Sequence, residues 1–343
     1  MAGFRQSLAV VALALAAAPS TRAGDREAQQ WLERMSEALA TRSYEGRYTQ
    51  RDAQSTTMMQ IIHRVDRGKV TERLVSLDGS GQELISNQTE VIHYIPDRRT
   101  VVVSKRNEAS TLLAAVPIYN EELETHYSIE RGESTKELGR RTQIILVQPR
   151  DQYRYGYRLW LDHETAMPLR SQLCDRNGRV IGQIQFAEIN FRDRIPADAL
   201  QPAVSTEGFR WVRQDGAPPQ RVARSTTSWS VISPPAGFRL TAVRMQLIPG
   251  ASAPVNQLVY SDGLASVSVF IEPLNSHTGT NHGLMKVGAA FAYSVDMDGY
   301  HITVVSSEVP AATLEAIATG VTKERAPPQE NPSIREASGP PTR

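Results

Sequence analysis

The side chains of this chain best suited to ligating a metal or activating a nucleophile are seven histidines, at 63, 93, 126, 163, 277, 282 and 301, and a single cysteine, Cys174. A metal site needs neutral imidazoles at helical or hairpin spacing with a third ligand close by. His277 and His282 lie five residues apart in a Gly/Asn/Ser/Thr loop with no carboxylate between them, so a loop role is expected rather than zinc. Asp296-Met297-Asp298-Gly299 lacks the downstream glutamate and the intervening oxygen ligands of a calcium loop and reads as a turn. Asp162-His163-Glu164 offers an acid and a base, but nothing in the sequence places a nucleophile beside them. Cys174 has no second cysteine to pair with and is expected to be a buried, inert thiol, a disulfide between chains being the alternative. No Walker A, GxGxxG, GxSxG or HExxH motif is present. These residues predict no enzyme, no cofactor and no resident metal.

Binding surfaces are the better prospect. Tyr153, Tyr155, Tyr157, Leu159 and Leu161 alternate along one face of a predicted strand, opposite Arg154, Gly156, Arg158 and Trp160. Both faces therefore carry bulk, as in a curved sheet with one side on helices and the other partly exposed. Ordinary core accounts for this pattern, and a ligand cavity is the alternative. Met58, Met59, Ile61 and Ile62 are ambiguous in the same way, since methionine both fills gaps and serves adaptable apolar surfaces. Arg98, Arg99, Lys105 and Arg106, with Arg140 and Arg141, form local basic clusters: solvated loops by default, sites for anionic headgroups as the rival.

The elements that would position these residues begin with an abrupt change of period. In WLERMSEALATRSYEG, residues 31–46, Trp31, Met35, Ala38 and Leu39 share a helical face opposite Glu33, Arg34 and Glu37. Tyr44 then opens a strand on which Gly46 and Tyr48 lie on one side. From Tyr44 to Phe191 short β-branched and aromatic runs alternate with turn signals such as Asp66-Arg67-Gly68, Asp78-Gly79, Pro96-Asp97 and Asn177-Gly178. Asn177-Gly178 suits a type I′ hairpin. A long antiparallel meander follows. Residues 104–122 lose the two-residue period and read as a lid-like insertion with Leu112, Leu113 and Val116 apolar. A Gly/Pro/Arg-rich stretch places a linker at 213–225, with Trp211 docked before it. Beyond it, hairpin turns at Ser261-Asp262-Gly263 and Asp298-Gly299 and a closing helix with Pro310 as its first residue predict a small α+β domain over 226–325. The tail 326–343 is too poor in apolar residues to fold.

Residues 1–23 have the layout of a secretory signal: Arg5, an apolar run from Leu8 to Ala18, Pro19, then small residues. Loss of that segment removes Arg5 and Arg22 and no acid, taking 38 basic residues to 36 against 37 acidic ones. Such balance gives no global field for nucleic acid, and no nucleic-acid partner is expected. Self-association stays open.

Across nearly the whole mature chain the sequence resembles the MucB/RseB family. The resemblance is carried in order by WLERMSEALATRSYEG, HRVDRG, ERLVSLDG, YIPDRRTVVV, YGYRLWLDHETAMPLRS, VYSDGLASVSVFIEP and GYHITVVSSEVPAATLEAIA. It implies a mainly β, α+β periplasmic protein of two domains. The larger, over 24–212, would be a LolA/LolB-like incomplete antiparallel barrel packed on helices, and the smaller a sheet with a packed helix. It further implies a negative regulator of a sigma-E-type envelope-stress pathway, which binds the periplasmic segment of a membrane-spanning anti-sigma factor and shields it from regulated proteolysis. Lipopolysaccharide or mislocalised lipoproteins would relieve that block. On this reading Tyr48, Met58, Ile62, Leu112, Leu113, Tyr155 and Tyr157 are the candidate lipid-cavity residues. Tyr260, Val267, Val269, Tyr300 and Ile302, on the hairpin 257–272 and the strand 300–306, are the candidates for the partner interface. A lipid or lipoprotein carrier is the rival, and a carrier would have no need of residues 226–325.

Overall fold

The computed structural model describes residues 21–52, 54–106, 117, 119, 121–214, 228–246, 255–274, 282–288 and 290–323. Most of the predicted signal segment, the heart of the 104–122 insertion with Leu112, Leu113 and Val116, the linker from 215, His277 and the tail lie outside the described residues.

Helix α1 (Thr21–Thr41) buries Ala28, Trp31, Leu32, Met35, Ala38 and Leu39. These positions recur at intervals of three and four, the apolar stripe of a helix lying on a core. Eleven strands follow before the chain leaves the first lobe's meander. They are β1 (Tyr44–Arg51), β2 (Thr56–Asp66), β3 (Lys69–Ser76), β4 (Glu83–Ser86), β5 (Glu90–Ile95) and β6 (Thr100–Lys105), then, after the one-turn helix α2 (Leu123–His126), β7 (Tyr127–Glu137), β8 (Arg140–Pro149), β9 (Gly156–Asp162), β10 (Pro168–Cys174) and β11 (Val180–Phe191). With β12 (Arg210–Gln214) they form one twelve-stranded sheet in the order β12-β6-β5-β4-β3-β2-β1-β11-β10-β9-β8-β7. Every pairing is antiparallel except β12 on β6.

The two ends of that order do not pair with each other, so the barrel is incomplete, as expected. Its curvature follows from packing. Helix α1 shares one core with side chains from β2, β1, β11, β9, β8 and β7, and Leu173 of β10 packs against it. Seven adjacent strands would span about 30 Å if flat, at roughly 4.8 Å each, whereas a helix is only about 10–12 Å across. A single helix reaches all of them only if the sheet curls around it.

Three local details differ from the sequence reading. The Asp175–Arg179 hairpin has Gly178 at positive φ, while Asn177 does not share it. Gly178 N donates to Asp175 O, so the turn is type I with a left-handed glycine after it rather than type I′. The strand β12 continues through Gln214, because it pairs with β6 and Arg213 bridges Glu90 at 2.6 Å. Arg213 and Gln214, expected in the linker, are therefore strand. Residues 153–155 are not strand; β9 begins at Gly156.

The second lobe is a six-stranded antiparallel sheet of β14 (Arg239–Gln246), β15 (Val255–Ser261), β16 (Ser266–Pro273), β17 (Gly283–Val287), β18 (Ala290–Met297) and β19 (Tyr300–Ser306), in the order β14-β15-β16-β19-β18-β17. Helix α3 (Ala311–Gly320) packs on it with a small pair, β13 (Trp229–Val231) and β20 (Val321–Lys323). Pro310, expected as the first helical residue, is instead the cap residue one position ahead of Ala311, and its carbonyl accepts from Thr313 N.

Because α1 is the common filler of the first lobe, Leu32→Ala or Met35→Ala should each destabilise the protein by about 2–5 kcal/mol, the cost of an unfilled core site. Urea unfolding followed by tryptophan fluorescence reads this directly; a loss below about 1 kcal/mol would show that the sheet closes without the helix.

Candidate functional site

The register of β1 on β2 decides what the inside of the curled sheet offers. Tyr44, Gly46 and Tyr48 stand opposite His63, Ile61 and Met59. Ile61 and Met59 therefore share the inner face with Tyr48, while Met58 and Ile62 point the other way. Met58 is 43% exposed, and Ile62 packs outside against Ile195 and Leu200. The predicted grouping of Tyr48, Met58 and Ile62 in one cavity is thus corrected: a run with two apolar residues on each face gives no parity signal, and a one-residue shift exchanges the faces. Tyr48 is buried in the α1 core.

The inner face also holds a polar row. Tyr44, His63, Glu72 and Ser86 follow one another across β1, β2, β3 and β4 by register. His63 Nδ1 lies 2.8 Å from Glu72 Oε1, Ser86 Oγ donates to Glu72 Oε2, and the Tyr44 ring stacks on His63 at 4.8 Å. All four are buried. A purely hydrocarbon-lined pocket does not fit at this end of the sheet.

Open space lies instead where the two sheets meet. One cleft of about 350 Å³ is walled by Gln152, Tyr155, Arg176 and Arg179 from the first lobe and by Leu284, Phe291 and Pro310 from the second. A second cavity of about 460 Å³ continues over the same hairpin, lined by Leu146, Val147, Tyr157, Arg158 and Cys174, and the two share Asp175, Arg176 and Asn177. Together they are of a size that holds a peptide side-chain cluster or a small ligand. Tyr155 and Tyr157, both predicted to line a cavity, come to this groove, Tyr157 half as wall and half as core. Cys174 is buried, and burial pushes its thiol up, which leaves it protonated and inert.

The residue that builds the junction is one the sequence placed on the face opposite Tyr153, Tyr155 and Tyr157. Arg154 is fully buried, and its guanidinium crosses the seam: Nη1 donates to Asp262 Oδ2 at 2.9 Å, Nη2 to Ala236 O, and Nε to Asp151 Oδ1 at 3.1 Å. It lies 5.5 Å from the Tyr127 ring and 5.2 Å from that of Phe238. Asp262 also accepts from Tyr127 Oη at 3.0 Å and from the backbone N–H groups of Leu264 and Ala265, so its turn is held from both lobes. Burial, then the Asp262 charge, push the Tyr127 phenol far above its ordinary range, and it remains a donor. Thr313 Oγ1 donates to Tyr153 O at 2.5 Å, and Arg239 reaches Glu122 at 3.1 Å. Gly237, at φ +88°, presses on the His126 ring so closely that a β-carbon there would collide with it.

The other predicted residues are structural. Val267, Val269 and Ile302 have no exposure and pack under α3; Tyr260 is buried with its hydroxyl accepting from Val231 N. Tyr300 packs edge-on to Trp229 under Lys323. Their alternation is the core face of an antiparallel sheet, so none of the buried four presents a side chain to a partner, which corrects their placement at an interface. Asp162-His163-Glu164 is a turn: Asp162 binds Arg140 at 2.8 Å and Thr165, and His163 packs edge-on to Trp31.

With this geometry in hand, comparison with known proteins is decisive. The MucB/RseB N-terminal domain model matches residues 27–204, and the MucB/RseB C-terminal domain model matches residues 223–322. The chain belongs to the MucB/RseB family. It is 32% identical to the sigma factor AlgU regulatory protein MucB of Pseudomonas aeruginosa over 93% of this chain and 98% of that protein. It is 25% identical to the sigma-E factor regulatory protein RseB of Haemophilus influenzae, over 91% and 96%. Among solved structures it is similar to MucB in complex with MucA(peri), with a TM-score of 0.68 at 30% identity over 87% of this chain and all of that one. The MucA/MucB complex of Pseudomonas aeruginosa gives the same TM-score at 29% identity, over 88% and 100%. The family match covers both lobes, and hence both walls of the groove.

Two outcomes follow from the junction. Asp262→Ala should cost about 3–5 kcal/mol by stranding a buried guanidinium, whereas the double variant Arg154→Met/Asp262→Leu should recover most of that loss. Chemical unfolding of both variants checks this; equal losses would mean that the pair is not the seam's electrostatic centre. His126 is held below its ordinary pKa, first by burial and then by Arg154. The folded protein then binds fewer protons than the unfolded chain, so stability falls as pH drops through the unfolded value of about 6.5 and levels off below the lowered folded one. His126→Gln should flatten that segment of the stability profile, measured as urea midpoint against pH.

Proposed function

We propose that this chain is a periplasmic negative regulator of a sigma-E-type envelope-stress response, which holds the periplasmic segment of a membrane-spanning anti-sigma factor in the groove between its lobes and shields it from regulated proteolysis. The observation that carries this reading is a groove whose walls come from both sheets, in a chain whose likeness to the MucA-bound relatives runs over its whole two-lobed length. A segment seated there would bury Tyr155, Leu284 and Phe291, apolar anchors set among Gln152, Arg176 and Arg179. This is the anatomy of an interface with an apolar centre and a polar rim. Protection then needs no chemistry: a segment held in a cleft is not free to adopt the extended form a protease binds.

Lipid sensing is the second part of the proposal. It is supported by Arg158 and Arg176, exposed and forming no ion pair among the described residues, beside Leu146, Val147 and Tyr157 in the larger cavity. Cationic heads in this mostly polar cavity suit a phosphorylated headgroup such as that of lipopolysaccharide. A ligand there would share Asp175–Asn177 with the partner groove, and competition for that hairpin would make the two bindings reciprocal. The carrier alternative leaves unexplained why the second lobe supplies one wall of the smaller cleft, with Leu284, Phe291, Pro310 and Ala311.

Capture of the cognate anti-sigma factor's periplasmic segment by the full mature chain tests the first part. Tyr155→Ala and Leu284→Arg should each weaken it by about 10- to 100-fold, the loss of a central anchor. Affinities within about two-fold of wild type for both would exclude the groove. Saturable binding of lipopolysaccharide, reduced by Arg176→Glu, supports the second part; absence of saturation removes it.

A further inference from the structure

Three side chains that the sequence keeps far apart converge at the edge of the second sheet. His282, just ahead of β17, places Nε2 2.9 Å from Asp296 Oδ2 of β18. His301 of β19 places Nδ1 2.6 Å from Asp296 Oδ1. The two imidazole nitrogens and the carboxylate oxygens all lie within 4.8 Å of one another. Asp296 and His301 are direct cross-strand partners, two pairs from the Asp298-Gly299 turn, and the left-handed Gly283 follows His282 at the start of β17. Strands β18 and β19 and the residue just ahead of β17 thus supply one cluster.

We propose that His282, Asp296 and His301 form a binding site for a divalent transition-metal ion, with zinc the best match. Two imidazole nitrogens and one carboxylate, with a fourth position left to solvent, are a donor set for a borderline-soft, four-coordinate ion and a poor one for calcium or magnesium, which take oxygen ligands. The ligand atoms would have to separate from hydrogen-bonding contact to a little over 3 Å to admit the ion at about 2.0–2.2 Å from each. His282 has the freedom to do so: it is exposed, on the loop end of an edge strand. On binding, each imidazole gives up the N–H aimed at Asp296 and carries its proton on the other ring nitrogen. For His301 that nitrogen turns away from Asp296, and the residue on its other flank is Glu272, its direct partner on β16. A carboxylate at cross-strand distance behind a ligating histidine is the usual second support of such a ligand.

The site would pin β17, whose Leu284 walls the inter-lobe cleft. Zinc would tie that wall to β18 and β19.

The test is zinc titration of the chelator-stripped full mature chain by calorimetry, with cobalt(II) as a spectroscopic substitute. One equivalent should bind with a Kd of about 10 μM or tighter, give the intense visible bands of tetrahedral cobalt, and raise the melting temperature. His282→Gln and Asp296→Asn, both at exposed positions, should each abolish that equivalent while leaving the urea midpoint in chelator unchanged. Absence of saturable uptake by the wild-type chain, or one equivalent that survives in both variants, would overturn the proposal and leave a hydrogen-bonded cluster only.

Discussion

A guanidinium without solvent, Arg154, stands between the two sheets, and the arrangement of the lobes depends on how its charge is met. Taking an arginine and an aspartate out of water costs several kcal/mol per ion even after relaxation, and only good geometry with satisfied donors and acceptors offsets that. Here the three guanidinium nitrogens each have an acceptor, and Asp262 gathers a cation, a phenol and two backbone N–H groups. Such a contact is indifferent in stability to a greasy substitute and strict in geometry. It specifies one orientation of the second sheet against the first.

From that orientation the groove follows. Arg154 lies just ahead of β9, and Asp262 in the β15–β16 turn, so joining them brings the tip of the β10–β11 hairpin against β17 and the start of α3. Each lobe has its own core, one on α1 and the other under α3. The seam is mostly polar by contrast, with Tyr153, Glu122 and His126 among its other contacts and Leu264 of the second lobe packed against the first lobe's core. Stiff lobes about a polar seam allow a ligand on one side to bias the other, provided it discriminates between two arrangements.

Much of the fold was legible because it rests on local period. The stripe of α1, the β1 strand from Tyr44 to Arg51 and the hairpin turn at Asp298-Gly299 are each fixed by neighbours in sequence. Strand β4 escaped because four residues are too few to show a period, although it pairs with its sequence neighbours β3 and β5, and β12, inside an apparently linker-like stretch, escaped because its partner β6 is remote. The site was legible only in part. Tyr155 and Tyr157 were marked by aromatic alternation, but the parity of Met58 and Ile62 was lost in a run apolar on both faces, and Val267, Val269 and Ile302 showed the same alternation whether they faced a partner or a helix. Arg154 reads as a surface residue until Asp262, over a hundred positions away, is placed beside it. The histidine spacing visible along the chain, His277 with His282, joins neighbours in sequence, whereas the cluster joins neighbours in the sheet.

Two lobes and one partner segment between them is the central claim, and hydrogen–deuterium exchange of the full mature chain, with and without the anti-sigma factor's periplasmic segment, tests it most directly. Slowed exchange in both walls together, at the 174–180 hairpin of the first sheet and at 283–288 of the second, is the predicted result. Protection confined to a single lobe, with the other wall exchanging as in the free chain, would contradict it.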